Sequence, residues 1–138
     1  MQTIQEIKER LLSYKNCVQT IKELKEQALK IRELATSITP KQGDGSVHTG
    51  TSDKIGQAVV TLTTIEDELS KKINLLYESK ADVTGLINLV NDDALKLLLI
   101  KRYMSNKTFE QIAYEMNYSY KHICRLHGRA LQKIQKMS

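Results

Sequence analysis

The chain has 138 residues and a mass of 15.8 kDa; 41% of it is hydrophobic, and 21 Lys and Arg stand against 16 Asp and Glu. This composition is globular rather than disordered, and one Pro with six Gly leaves few places to break an element, so long helices are expected. The longest apolar run, residues 97–100, is far too short to span a membrane, Gln2, Glu6 and Glu9 stand where a signal peptide would begin, and Cys17 and Cys124 have no metal or redox spacing. The expectation is a cytoplasmic protein with reduced thiols, no membrane and no cofactor.

The first predicted element is an amphipathic helix over residues 3–38. Its apolar stripe runs Ile4, Ile7, Leu11, Tyr14, Val18, Ile21, then resumes one step early at Leu24, Ala28, Ile31, Ala35 and Ile38. That slip is a stammer in a coiled-coil-like seam. Pro40 ends the helix, and the Gly-rich stretch 39–52 reads as a loop. Ser52 or Asp53 is expected to cap a second long helix, whose stripe is Ile55, Val59, Leu62, Ile65, Leu69, Ile73, Leu76, Val83, Ile87 and Val90. Thr84-Gly85 is its weak point, a place for a kink or hinge. Two such helices fold most simply as an antiparallel hairpin, and each has apolar surface to offer a second copy.

Asn91-Asp92-Asp93 supplies caps for a helix from Ala94 to about Met104, and Ser105-Asn106-Lys107 forms a turn. Thr108 with Gln111 three residues on is a capping-box pattern for a short helix ending near Asn117. Ser119 caps a last helix to about Lys136. The fold class is therefore all-α: a helical hairpin over 1–91, acting as an oligomerisation arm, then a three-helix helix-turn-helix domain over 92–138.

The net charge of +5 falls entirely within the second of these segments. Residues 1–91 carry 12 basic and 12 acidic side chains, residues 92–138 carry nine and four, and residues 119–138 carry five basic residues and no acid. A basic stripe on one small element is the footprint of a polyanion binder; a solvated helix face is the alternative.

Residues 109–123 have the spacing of a helix-turn-helix. Ala113 is small where two helices cross, and Asn117 falls where the turn needs a left-handed backbone, which Asn tolerates. Ile112, Met116, Ile123 and Leu126 are apolar where the helices face, and Tyr118 is expected to plug the turn. Tyr103, Phe109, Tyr114, Tyr118 and Tyr120 crowd into 18 residues and are expected to give this unit a core of its own. On the last helix Ile123, Leu126, Ala130 and Ile134 face inward, while Lys121, Arg125, Arg129 and Lys133 recur every four residues outside.

In the DNA-binding form of this motif, the start of the second helix reaches base edges and later cations hold phosphates. Tyr120, Lys121, His122 and Arg125 are the candidates for bases, with Arg125 foremost because guanidinium pairs bidentately with guanine. Lys107, Thr108, Ser119, Arg129 and Lys133 are the candidates for phosphates.

Residues 92–135, above all the run from Phe109 to Ile134, resemble region 4 of bacterial sigma factors in Ile112, Ala113, Ile123, Ala130 and Leu131. That resemblance implies duplex DNA as a partner and host RNA polymerase as a second one. Tyr120-Lys121 stands where sigma factors usually carry Arg-Glu, and Asn117 replaces the common Gly. The chain as a whole is similar to ArpU/RinA-type late transcriptional regulators, small phage and prophage proteins of Gram-positive bacteria. The residues carrying this are Thr39-Pro40 and the Gly-rich loop, Ser52-Asp53-Lys54-Ile55-Gly56, and the ending from Tyr120 to Leu131. It implies a phage- or mobile-element-encoded DNA-binding transcription factor.

Other sites are weaker. Residues 45–52 approach a phosphate-binding loop, but Thr51 stands where Lys is needed and no strand precedes it. His122 and His127 are five apart on a helix, pointing away from each other, and no metal set is completed by His48. An enzyme is not expected. The reading is a phage-type transcriptional regulator that pairs with itself, in the first instance as a homodimer. A small-terminase-like packaging protein and a polymerase-binding interaction module are the alternatives.

Overall fold

A computed structural model describes residues 2–37 and 49–138, with side chains from residue 53 in the second segment. Among the described residues every element is helical: α1 Ile4–Ser37, α2 Thr49–Asn88, α3 Asp93–Leu99, a π-helical turn Ile100–Met104, α4 Phe109–Met116 and α5 Tyr120–Met137. The all-α class follows directly. None of these helices is long and apolar enough to cross a membrane.

Helix α2 starts earlier than its sequence stripe implied. Ser52 and Asp53 lie inside it rather than capping it, because helical backbone already begins at Thr49. The residues expected to end α1 and form most of the Gly-rich loop, Pro40 among them, lie outside the described residues, as does Ile38. Helical structure continues through Thr84-Gly85 without interruption. The hinge expected there is not formed, since neighbouring turns hold the backbone whatever the intrinsic cost of one glycine.

The chain forms two compact units, Met1–Val18 with Leu75–Ser138, and Gln19–Asn74. In the first, one core joins Ile7 and Leu11 of α1, Val83, Leu86, Ile87 and Val90 at the end of α2, and the inward faces of α3, α4 and α5. The expected division between residues 91 and 92 therefore falls inside this unit. The reason is area: α4 and α5 bury one side on each other and still present Ala130, Leu131 and Ile134 to the rest of that core. Truncating the fully buried Ile7 or Leu11 to Ala would cost about 2–5 kcal/mol.

Polar contacts reinforce the same packing. Arg10 Nε donates to Asp82 at 3.1 Å within an ion pair, and its Nη1 donates to Gln2 Oε1 at 2.7 Å. Gln135 Nε2 on α5 in turn donates to the Gln2 carbonyl at 3.0 Å.

The second unit has a thin core of Leu24, Ala28 and Ile65, flanked by the partly buried Ile31, Leu62 and Leu69. Arg32 and Glu66 pair across it at 3.1 Å in an exposed setting, a contact worth little by itself. The seam on α1 departs from its expected course. Cys17 is buried and Val18 exposed, so the extra three-residue step falls at Leu11, Tyr14 and Cys17, about two turns before the predicted slip. On α2, Val59 and Ile73 are exposed although both belong to the predicted stripe. The α1 contacts of this unit fall on Ile65, Leu62 and Leu69, which leaves those two residues to one side.

Candidate nucleic-acid interface

The helix-turn-helix is built by local capping chemistry. Asp92 opens α3 by accepting the Leu95 N–H at 3.0 Å. The helix then widens into a π turn instead of continuing as α-helix to Met104, with Ser105 N–H donating to the Ile100 carbonyl five residues back at 3.0 Å. Asn106 turns the chain at φ 56°, as the expected Ser105-Asn106-Lys107 turn requires.

At Thr108 the capping box is complete: its Oγ1 accepts the Gln111 N–H at 3.2 Å and its own N–H donates to Gln111 Oε1 at 2.9 Å. Helix α4 ends where Asn117 takes φ 58°, ψ 40°, and the Tyr118 N–H then closes on the Ala113 carbonyl at 2.9 Å. Two residues later the Ser119 Oγ accepts the His122 N–H at 3.1 Å and α5 begins. Ile112 and Ala113 lie buried in one cluster with Ile123 and Leu126, and Met116 is partly buried beside them. The connection is short because one left-handed residue reverses the chain and both flanking helices are capped by side chains.

The outer side of α5 carries Lys121, Arg125, Arg129 and Lys133, all exposed and without an ion pair among the described residues. At about 100° per residue, steps of four turn the row by about 40° each. Lys121 and Lys133 thus lie about 18 Å apart along the axis and about 120° apart around it. The row is a slanted ridge, with Arg125 and Arg129 at its middle. Gln132 and Lys136, also exposed, lie on the same side.

The remaining candidates are less uniform. Tyr120 opens α5 half exposed, and a hydrogen bond with the Cys124 side chain is the main cause holding its pKa above the ordinary tyrosine value. It lies about 100° around the helix from Lys121, off the basic ridge. His122 is half-buried, with Tyr118 edge-on to its ring at 4.8 Å. Tyr118 does not plug the turn. It is exposed and covers His122 from outside, because Ala113 and Ile123 already close the space between the helices.

Thr108 and Ser119 each spend their oxygen as a cap acceptor, which leaves the hydroxyl proton and the free N–H groups of the first turn to meet an anion. Lys107 is engaged. Its Nζ pairs with Glu115, which also takes Lys101 Nζ at 3.1 Å. These two hydrogen bonds, Lys107 first, hold the Glu115 carboxyl below the usual range.

Arg102 is a structural cation. Its guanidinium lies 4.3 Å from the centre of the Phe109 ring and its Nη1 donates to the Lys107 carbonyl at 3.1 Å. Of the nine basic residues in 92–138, then, Lys101, Arg102 and Lys107 are committed within the protein. Five of the other six lie on α5, so the charge available to a partner is more concentrated than the sequence count indicates.

The aromatic core expected from residues 103–120 is not formed. Tyr103 is buried and Phe109 partly so, whereas Tyr114 is 87% exposed and Tyr118 and Tyr120 face outward. Aliphatic residues from α1 and α2 fill the space instead. His127 is the half-buried polar residue that sequence reasoning missed. It lies four residues after Ile123 and three before Ala130, a spacing that places it near the inward face. Comparison with protein-family models, with curated proteins and with solved structures finds no match to this chain.

Proposed function

We propose that this protein is a sequence-specific double-stranded DNA-binding transcriptional regulator of phage or prophage type, with α5 entering the major groove. The observation that carries the reading is the slanted row Lys121, Arg125, Arg129, Lys133 on the open side of a helix whose other side is fixed by a capped, left-handed turn. A helix presented this way can enter a groove wide enough for one helix, with Lys121 and Arg125 near base edges and Arg129 and Lys133 along the phosphates. Self-association of the chain as a dimer would match two-fold sites, with half-sites about 34 Å apart. A cytoplasmic location in a bacterial cell belongs to the same proposal, and so does contact with RNA polymerase.

Selection of bound duplexes from a random pool, followed by affinity measured against salt, tests it. An enriched inverted repeat is expected, and log K falling against log salt with a slope of about −4 if four or five cations neutralise phosphates. Arg125→Ala should relax sequence preference at one position, whereas Lys133→Ala should weaken all duplexes alike. A selection that returns no sequence at low salt, or binding indifferent to salt, rejects the reading.

A further inference from the structure

The stretch 55–65 of α2 has no charged residue, although only one side of it meets α1. Val60 is 67% exposed and Val59 56% exposed. The hydroxyls of Thr61, Thr63 and Thr64 donate to the carbonyls of Gln57, Val59 and Val60 at 2.9, 2.9 and 3.0 Å, which spends their polar groups on their own helix. Thr64 thus leaves a methyl group to an approaching surface. Six of the seven residues from Val59 to Ile65 other than Leu62 are β-branched, which weakens helix propensity. A helical stretch without charge and poor in propensity is one that packing holds in place. The outer side of α1 in this unit carries the charged row Lys22, Glu26, Lys30 and Glu33, with Leu29 and Leu34 exposed to either side of it.

On the side of α2 away from α1, Asp53, Gln57, Val60, Thr64, Asp67 and Lys71 are all exposed and follow one another in steps of four, three, four, three and four. They form one seam about 27 Å long, with Val60 and Thr64 at its middle and polar or charged residues toward its ends. Its ends carry opposite charge, and neither Asp53 nor Lys71 has an ion-pair partner among the described residues. An acid at one end and a base at the other is self-complementary under a two-fold axis: a copy laid antiparallel brings both ends into register at once.

We propose that this seam docks a second copy of the chain, α2 against α2 and antiparallel. Val60 lies opposite the partner's Thr64, Gln57 opposite the partner's Asp67, and Asp53 opposite the partner's Lys71. Each contact occurs twice. The pairing supplies the dimer that the DNA-binding reading calls for, and it is measured without DNA, so either reading can fail while the other stands.

Light scattering and sedimentation of the full chain test it. A dimer is expected, and Asp53→Lys or Lys71→Asp alone should weaken it about tenfold, two exposed ion pairs being lost in each case. The combined variant should recover the parental affinity. Helix content by circular dichroism separates lost pairing from lost folding. In a Cys124→Ser background, chains carrying Val60→Cys and chains carrying Thr64→Cys should cross-link to each other faster than either does to itself. A monomer at all concentrations, a ring of many copies, a combined variant no better than the single ones, or cross-linking that favours like chains each overturns the proposal.

Discussion

The Tyr103 hydroxyl lies 2.6 Å from Nε2 of His127, and Phe109 meets the same imidazole edge-on at 5.0 Å between ring centres. Burial pushes His127 down to about 4, with Lys8 and then Arg102 acting in the same direction, and it pushes Tyr103 up to about 12. The pair is neutral across the physiological range.

Stability should respond to acid through this imidazole. The unfolded chain takes up the proton near 6.5 and the folded one only near 4. Stability is therefore full above about 6.5 and falls as pH drops toward 4, by about 3 kcal/mol at most. At the alkaline end Tyr103 contributes stability that is full below about 10 and lost as pH rises toward 12. Urea midpoints at about pH 7 and about pH 4.5 should diverge in the parent and converge in His127→Phe. An acid loss that survives the substitution would assign the effect to other groups.

A fragment of residues 92–138 should not fold by itself. Its helices share their core with Ile7, Leu11, Val83, Leu86, Ile87 and Val90, and removing those side chains exposes one side of α3 and α5. Circular dichroism should show a largely unstructured peptide, and a cooperative thermal transition in the fragment would contradict the shared core.

Glu115 restrains two cations beside the proposed DNA face. Glu115→Gln should raise affinity for any duplex and steepen the salt dependence by about one to two, as Lys101 and Lys107 become available to phosphates. For the same reason, Lys107→Ala in the parent should cost less affinity than Lys133→Ala. Electrophoretic mobility shifts over a salt series report both, and a Glu115→Gln protein that binds no better removes Lys107 from the interface.

Asn117 sits at φ 58° with the turn between α4 and α5 depending on it. Asn117→Gly should be tolerated to within about 1 kcal/mol, the freedom of glycine in the unfolded chain offsetting relief of the left-handed strain. Asn117→Val should lose about 1–2 kcal/mol. Thermal melts rank the three, and a Val variant as stable as the parent would mean the turn can re-form without a left-handed residue.

The features legible in advance are those that a few neighbouring residues decide together. Asp92, the Thr108–Gln111 pair, Asn117 and Ser119 stand where the sequence places them, because a cap or a left-handed turn is settled within three or four positions. The exposed cations of α5 follow equally from one helical period. What failed were inferences about which side of an element the rest of the chain would cover. Cys17 and Val18 differ by one residue and 100° of helix, and only the packing of α1 decides which is buried.

By itself, then, the amino-acid sequence determined an all-helical chain, its capped turn and a cationic last helix, since each is a matter of local propensity and spacing. Tertiary structure decided that α1 and α2 complete the core beneath that helix, that His127 is neutral and half-buried against Tyr103 and Phe109, and that Lys101, Arg102 and Lys107 are already occupied. Those outcomes depend on groups far apart in the chain coming within a few ångströms, where burial and pairing are set by the partner rather than by the residue.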